Sequence, residues 1–360
     1  MEKHWTLELE RKPDFDRAME RIYAWFEQEL IDRPPIRFAA HNAGFSAPPR
    51  LTKIWPSLKD RWFDAEYQVD LYTESIRGRK FYAETFPVFS SNLGPEVYAA
   101  FFGSELEYKE VTSYSIPLVK EWADMEKVRF DRNNPYFKKI DEINEIAFEK
   151  CPGKFMVAYT VLCPIIDCVA AWRDPQQLCM DMLLSPDNVK QLIKIASDPF
   201  NEIFDYYDDI LKKHHQLSVS WMDIPSFGKM HIPACDFASM ISPDQFDEFV
   251  LPTLQQEVKH MTHNVFHLDG KGVANHVDKI LAISEINAIQ WVQGVGDDQP
   301  IMQWVPFIKK IQAAGKSLVL DIQVHELEDF IGAMDPRGLM LCIPAEESIQ
   351  PSIIRRIERW

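Results

Sequence analysis

The sequence predicts an α/β protein built as a single (β/α)₈ barrel, the TIM-barrel architecture, over residues 1–360. Short β-rich runs alternate with segments of helical periodicity, which is typical of parallel β/α units. Eight such runs occur, the number that a closed barrel requires. No GxGxxG follows the first run, which argues against an open doubly wound sheet. The predicted strands are residues 35–40, 86–90, 154–160, 217–222, 265–269, 288–292, 317–322 and 338–343.

The segments between these strands carry helix signals. Ser242 followed by Pro243 is a cap followed by proline at the first helical position, and it predicts one helix over the next 18 residues or so. Residues 305–317 have apolar side chains at helical spacing and end in a glycine stop. The pattern of residues 1–33 predicts an amphipathic helical layer ahead of the first strand. The long segments 41–85 and 91–153 predict insertions with extra helices after the first two strands.

Composition narrows the class of protein. A hydrophobic content of 46% with 26% charged residues indicates a soluble globular protein with a large core. The net charge of −16 disfavours nucleic acid and anionic membranes as partners. The charged amino terminus, the lack of a long apolar span and six cysteines without a CxxC pair predict a cytoplasmic protein with free thiols. A small-molecule substrate is expected, and these bounds leave room for a homodimer.

Polar residues at the carboxyl ends of the predicted strands are the candidate site, because the loops there build the active sites of such barrels. His267 and Asp269 are two residues apart on one strand and therefore point to the same side. With Asp236, in the loop after the fourth predicted strand, they are the catalytic candidates. The candidates for substrate binding are His41, Asn42, Asn92, Asp167, Trp221 and Gln290.

Several phrases of the sequence resemble the uroporphyrinogen decarboxylase superfamily. They are DFASMISPDQFDEFVLPTL, VFHLDGKG and AAGKSLVLDI, with RPPIRFAAHNAGFSAPPR and FPVFSSNLGPE extending the likeness towards the amino terminus. The resemblance runs in order from about Arg33 onward, and it implies a (β/α)₈ barrel. That superfamily includes the cofactor-free decarboxylase of haem synthesis. It also includes zinc-dependent methyltransferases that move methyl groups between corrinoid proteins and a thiol or related acceptor.

The departures from the decarboxylase pattern concern its substrate-binding charges. Its Arg-Gln-Ala-Gly-Arg motif, which grips substrate carboxylates, is HNAGF at residues 41–45 here. The aspartate that follows Phe-Ser at the end of its second strand is missing, since Phe89 and Ser90 are followed by Ser91 and Asn92. Uroporphyrinogen carries many carboxylates, and burying them without cations is costly. The resemblance therefore disfavours uroporphyrinogen as the substrate.

The methyltransferase branch implies a metal set. Its His-x-Cys motif is His267-x-Asp269 here, and Cys342 lies near the place of its second cysteine, with Ala345 as the equal alternative. His267, Asp269 and Cys342 would suit Zn²⁺ with one open position. This branch also implies a corrinoid carried by a partner protein. Carboxylate in place of thiolate could equally favour an oxygen-bearing substrate or another divalent metal.

Each candidate also has a purely structural interpretation. His267 and Asp269 could bind a substrate hydroxyl without any metal. The other interpretations are a buried core thiol for Cys342, loop capping for His41 and Asn42, a loop-fixing turn for Asp236, a first-turn helix carboxylate for Asp167, and apolar core instead of an aromatic wall for Trp221 and Trp291.

The leading functional hypothesis is methyl or one-carbon transfer. In it, His267 and Asp269 bind a metal or polarise the acceptor, Asp236 acts as a base, and His41 and Asn42 hold the substrate. The first alternative is cofactor-free decarboxylation of a smaller acid. It requires a cation for the carboxylate, for which Arg50, Arg173 and Lys271 are the candidates. The second alternative is a binding barrel without catalysis.

Overall fold

A computed structural model describes residues 5–39 and 47–360 as an α/β protein. The strands are β1 Ile36–Ala39, β2 Val88–Ser90, β3 Glu105–Tyr108, β4 Ser113–Ile116, β5 Met156–Ala158, β6 Met230–His231, β7 His263–Asp269, β8 Ala288–Val292, β9 Ser317–Asp321 and β10 Leu339–Pro344. The helices are α1 Phe15–Phe26, α2 Leu58–Trp62, α3 Ala65–Ser75, α4 Val97–Ala100, α5 Pro135–Lys150, α6 Ile166–Arg173, α7 Pro175–Leu184, α8 Pro186–Ser197, α9 Phe200–Lys213, α10 Pro243–Phe249, α11 Leu251–Lys259, α12 Gly270–Ala274, α13 Val277–Leu281, α14 Val305–Ala313, α15 Leu327–Ala333 and α16 Gln350–Ile357. Short 3₁₀ helices are Pro49–Leu51, Trp122–Lys127, Asp236–Met240, Gly296–Asp298, Ile301–Trp304 and Val324–Glu326.

A curled sheet of six parallel strands organises the molecule, in the order β1-β10-β9-β8-β7-β6. Strands β2 and β5 form a second parallel pair, and β3 and β4 form an antiparallel hairpin. The amide of Glu84, just before β2, donates to the carbonyl of Ile36 at 2.9 Å, and Tyr159, just after β5, donates to Val219 at 3.0 Å. These bonds bring the two parallel sheets side by side. Among the described residues, however, the strands do not join into one closed ring of eight.

The predicted strand over residues 217–222 is not formed as a regular strand. Its backbone pairing in the described residues consists of an isolated antiparallel bridge from Ser218 to Ser226 and of the bond that the carbonyl of Val219 accepts from Tyr159. The amide of Met230 bonds to the Ser218 hydroxyl, at 3.0 Å, and not to a backbone carbonyl. The chain then turns at once, because the amide of Asp223 donates to the carbonyl of Ser220 at 2.9 Å. The strand next to β7 is the two-residue β6, which sequence periodicity did not indicate.

The predicted helix after Ser242 begins as expected but is split. The hydroxyl of Ser242 accepts a hydrogen bond from the amide of Gln245, and the side-chain oxygen of Gln245 accepts one from the amide of Ser242. These two bonds form the capping box. The helix ends at Phe249 and a new one starts at Leu251, because Pro252 supplies no amide hydrogen to continue the first. Within the predicted insertions, α2 and α3 lie in the first, and α4, the β3–β4 hairpin and α5 lie in the second.

The two faces of the curled sheet pack against different partners. On the outer face, Phe266, Leu268 and their neighbours belong to the core shared with the surrounding helices. On the inner face, Val265 and Val319 pack in a second core that includes the apolar side of α1. The indole nitrogen of Trp25 on this helix donates to the carbonyl of Leu318 at 3.2 Å. The predicted amphipathic layer therefore corresponds to α1, whose apolar side packs against the inner core of the sheet.

No helix within the described ranges is both long and apolar enough to cross a membrane. All six cysteines are free.

Candidate functional site

Strand β7 places His267 and Asp269 together at its carboxyl end. Both lie on the inner face of the sheet, two and four residues beyond the buried Val265. Asp236 opens the 3₁₀ helix Asp236–Met240 and completes a group with them: one ligand-type atom from each residue lies within 4.8 Å of the other two. The Nε2 atom of His267 is 3.9 Å from Oδ1 of Asp236. The sequence therefore predicted all three members of this group, which we call the Asp-His-Asp group.

The glycines of VFHLDGKG make this arrangement possible. Gly270 has a φ of +73°, which lets the chain leave β7 abruptly after Asp269. Gly272 lies against the 3₁₀ helix that carries Asp236; a Cβ atom on it would stand 2.6 Å from Cβ of Ser239. A larger residue at position 272 would therefore push Asp236 away from β7.

Gln290 and Trp221 surround the imidazole of His267. Gln290 lies beside His267 on β8, and its Oε1 atom is 2.7 Å from Nδ1. Because an amide oxygen only accepts, Nδ1 donates its N–H to Gln290, and Nε2 is directed at the two carboxylates. The Trp221 ring stands edge-on to the imidazole, with centroids 5.2 Å apart. Both residues were predicted to bind substrate; that remains a prediction, and the structure adds that each contacts the imidazole of His267.

Asp167 holds the backbone at Asp236 through two hydrogen bonds. Its carboxylate accepts the backbone amides of Asp236, at 2.9 Å, and of Phe237, at 2.8 Å. Burial raises its pKa to about 6, with a further contribution from the negative charge of Asp236. Asp167 lies in the first turn of α6, as its structural interpretation required, yet it also fixes the start of the 3₁₀ helix that carries Asp236.

The charges within the Asp-His-Asp group act on one another. Desolvation raises the pKa of the Asp236 carboxyl, the imidazole of His267 lowers it, and the carboxylate of Asp269 raises it again. Two carboxylates this close repel each other unless a cation or a proton lies between them. The group is thus suited to binding a cation.

Cys342 does not join His267 and Asp269, which corrects the predicted metal set. It lies on β10, three strands along the sheet from β7, and pairs with Arg37 on one side and Asp321 on the other. It is buried against the inner core, and burial raises the pKa of its thiol to about 11. Its structural interpretation as a core thiol is therefore the better one, and Asp236 takes the third place near His267.

Other predicted residues lie elsewhere. Asn92 caps a turn, since its Oδ1 atom accepts the amide of Gly94 at 2.8 Å. Trp291 is fully buried on the outer face against Trp304, so it does not form an aromatic wall. The prediction for His41 and Asn42 lies outside the described residues.

Sequence reasoning missed Arg37. This residue is on β1 between Ile36 and Phe38, which point into the outer core, so the Arg37 side chain points to the inner face. Its guanidinium is 3.4 Å from the carboxylate of Asp223 and 3.9 Å from Sγ of Cys342. The alternation Ile-Arg-Phe is the signal that could have identified it. The three cations considered instead are engaged elsewhere: Arg50 with Glu74, Arg173 with Asp181 and Lys271 with Asp298.

Comparisons with known proteins agree with the fold. No protein-family model matches the chain, and no curated protein matches it. Solved structures do match, and one of them is described as a methyltransferase from Methanosarcina mazei. The superposition covers 95% of this chain and 98% of the methyltransferase with a TM-score of 0.63, at 14% sequence identity. At that identity the likeness concerns the fold.

Proposed function

We propose that this chain is an enzyme of the uroporphyrinogen decarboxylase-like superfamily with a complete (β/α)₈ barrel. In this proposal it transfers a methyl group between an oxygen-bearing small molecule and a corrinoid carried by a partner protein. A divalent metal ion, Zn²⁺ in the first instance, is held by Asp236, His267 and Asp269. The observation that carries the proposal is the convergence of these three side chains, within 4.8 Å, at the carboxyl end of a curled parallel sheet. The structural likeness to a methyltransferase supports it at the level of the fold.

The donor set fits a divalent cation. Zn²⁺ accepts one imidazole nitrogen and two carboxylate oxygens and can keep a fourth position open. The bond from Nδ1 of His267 to Gln290 is the outer hydrogen bond that metal-binding histidines usually make. The set contains no thiolate, so it is a harder set than the one the methyltransferase branch implies. Harder ligands favour oxygen-bearing substrates, which is why we place the methyl group on oxygen.

The residues of the chain then have separate tasks. The metal, when bound, supplies Lewis acidity towards the substrate oxygen. Gln290 keeps the Nε2 lone pair of His267 directed at the group, and Asp167 holds the backbone of Asp236 in place. Asp236 thereby changes from the base expected from the sequence to a ligand.

The reaction balances with a reduced corrinoid as the methyl acceptor. The corrinoid of the partner would supply the electron pair that takes up the methyl carbon, and the electron pair of the broken carbon–oxygen bond would remain on the substrate oxygen. Water would supply the proton that this oxygen then requires.

The test is metal analysis of tag-free protein purified without chelators. We expect about one divalent ion per chain in the wild type and its loss in Asp236→Ala, His267→Ala and Asp269→Ala. Cys342→Ala is the matched control and should retain the metal, since its thiol lies outside the group. Methylation of cob(I)alamin, followed by its absorbance change, then tests the reaction. A folded wild type that binds no divalent ion would refute the metal site.

Arg37 favours a second candidate, decarboxylation of a small acid. It is a cation that faces the inside of the sheet near its carboxyl end, where a substrate carboxylate could bind. Release of CO₂ by metal-depleted protein, abolished in Arg37→Gln, would favour decarboxylation over methyl transfer.

A further inference from the structure

A second group of charged side chains lies on the inner face of the sheet, away from β7. Arg37 on β1 and Asp321 on β9 flank Cys342 on β10, at the same level. Because neighbouring strands are about 4.8 Å apart, the two charged residues are about 10 Å apart at the backbone. The small side chain of Cys342 leaves space between them. We call Arg37, Cys342 and Asp321 the charged notch.

Arg37 has few good hydrogen bonds for a charged group that is only 19% exposed. Its contacts among the described residues are the long ones, at 3.4 Å to Asp223 and 3.9 Å to a thiol. Arg33, four residues earlier and just before β1, is bound more closely: its two terminal nitrogens donate to Glu84 at 2.7 and 3.1 Å and to the carbonyl of Pro34 at 3.0 Å. An arginine has five N–H donors, so Arg37 retains capacity for an anionic group.

Asp223 is held beside Arg37 in an unfavourable backbone conformation. Its φ is +54°, in the left-handed region that residues other than glycine adopt at some cost. The hydrogen bond from its amide to Ser220 closes the turn that directs its carboxylate towards Arg37. Strain of this kind is often kept where a side chain must be placed for a ligand.

Asp321 supplies the opposite charge at the other end of the notch. Its side chain is exposed, and within the described part of the chain no side-chain donor is hydrogen-bonded to its carboxylate. A purely anionic ligand would be repelled by Asp223 and Asp321, and a purely cationic one by Arg37. A ligand that carries both charges on adjacent groups meets a partner for each of them.

The notch and the Asp-His-Asp group face the same space. Trp221 contacts the ring of His267, and Asp223, two residues later, contacts Arg37. Asp321 lies on β9, next to β8, whose Gln290 bonds the imidazole of His267. One small molecule can therefore reach from the notch to the group.

The geometry points to the zwitterionic head group of an α-amino acid as the ligand of the charged notch, with Arg37 binding the carboxylate and Asp321 the ammonium. This inference rests on the proposed function and names its substrate class: an amino acid with a methoxy group on its side chain. In that orientation the methoxy oxygen extends towards the Asp-His-Asp group.

Calorimetric titration of the full chain, dialysed against EDTA, tests the notch independently of the metal. The probes are O-methyl-L-serine, 3-methoxypropionate, which lacks the ammonium, and 2-methoxyethylamine, which lacks the carboxylate. We expect the zwitterion to bind most tightly. Arg37→Gln should weaken its binding, and that of the acid, by about 10-fold or more, since a hydrogen bond between charged groups contributes about 1.5–3 kcal/mol. Asp321→Asn should weaken the zwitterion and the amine by a similar factor.

The controls separate binding from folding. Arg50→Gln removes an exposed arginine that pairs with Glu74 and should leave all three titrations unchanged. Arg37→Lys keeps the charge but not the paired donors and should give intermediate affinity. Circular dichroism and unfolding midpoints verify that each variant is folded. Equal binding of the three probes, or unchanged binding in folded Arg37→Gln, would overturn the inference.

Failure of this inference can be told apart from failure of the proposed function. Binding of O-methyl-L-serine through Arg37 without methylation of cob(I)alamin by the metal-loaded protein would keep the notch and refute methyl transfer. Methylation of cob(I)alamin from O-methyl-L-serine at the same rate in wild type and Arg37→Gln would keep methyl transfer and refute the notch.

Discussion

Two histidines on the same face of β7 lie at opposite ends of the sheet and have opposite surroundings. His263, at the amino end, is buried, stacks on Phe26 with ring centroids 4.0 Å apart, and lies 2.9 Å from the hydroxyl of Ser226 through Nδ1. Burial lowers its pKa to about 4, so it is a neutral core residue. His267, four residues later, is partly open and faces Asp236.

This comparison shows that a position on one face of a strand does not by itself determine the environment of a histidine. The amino end of the sheet is closed by the apolar side of α1, which buries His263 against apolar side chains and Phe26. The carboxyl end receives polar loops that bring carboxylates to His267. One end of the sheet is thus a closed apolar core, and the other is the end at which we propose that a ligand binds.

The largest expected effects are those of substituting each of these two histidines on activity and on stability. His267→Ala should lower methyl transfer by about 100-fold or more, because a metal's Lewis acidity contributes several kcal/mol to such reactions. Its free energy of unfolding should change by only about 1 kcal/mol. His263→Ala should do the reverse: a loss of about 2–4 kcal/mol of stability through the cavity it leaves, with normal activity per folded molecule. Urea unfolding and initial rates check both. Loss of activity in the folded fraction of His263→Ala would contradict the division.

The next effect is the pH dependence of stability. The folded pKa of His263, about 4, lies below its ordinary value of 6.5, so the unfolded chain binds this proton more readily. The stabilisation is complete above pH 6.5 and is lost as the pH falls from 6.5 towards 4. The difference corresponds to about 3 kcal/mol at 1.36 kcal/mol per pKa unit.

Unfolding curves between pH 7 and 4 measure this effect as the difference between wild type and His263→Gln. The variant should show a shallower loss of stability with acid. His325→Gln, which removes an exposed histidine, is the control and should follow the wild-type profile. Parallel curves for wild type and His263→Gln would contradict the assignment.

The smallest effect concerns the neighbour of His267. Gln290→Leu removes the oxygen that fixes the imidazole and should weaken metal binding by about 10- to 100-fold without unfolding the protein. Gln290→Glu keeps an acceptor at this position and should restore the affinity. Competition with a chelating dye measures both. Equal metal affinity in Gln290→Leu and wild type would show that the outer hydrogen bond has no role.

The sequence predicts the fold where periodicity is long enough to be informative. The five-residue run at 288–292 matches β8, and the run at 265–269 matches the carboxyl end of β7. Met230 and His231 form a strand too short to produce a pattern, while residues 217–222 have strand-like composition but turn at Asp223. Strand composition reports burial and does not report which segment finds a partner.

The candidate site was predictable where it depends on alternation along one strand. His267 and Asp269 follow from their spacing at a strand end, and Asp236 from the loop that precedes a helix. Cys342 was placed wrongly because the register between β10 and β7 cannot be read from either strand alone. Arg37 was overlooked because the sequence does not show that the sheet curls. Only in a curled sheet does the Arg37 side chain face an interior that could bind a ligand.

Because α1 packs against β9, it can reach its final position only after β9 has been synthesised. Trp25 bonds the carbonyl of Leu318, 293 residues away, and Ser317 donates its hydroxyl to the carbonyl of Trp25. A ribosome adding about 5–20 residues per second needs roughly 15–60 s to reach that partner. During this interval the apolar side of α1 has no β9 to cover it. Helix α1 must therefore wait for β9, and a chain that stalls before residue 318 leaves the apolar side of α1 without this partner.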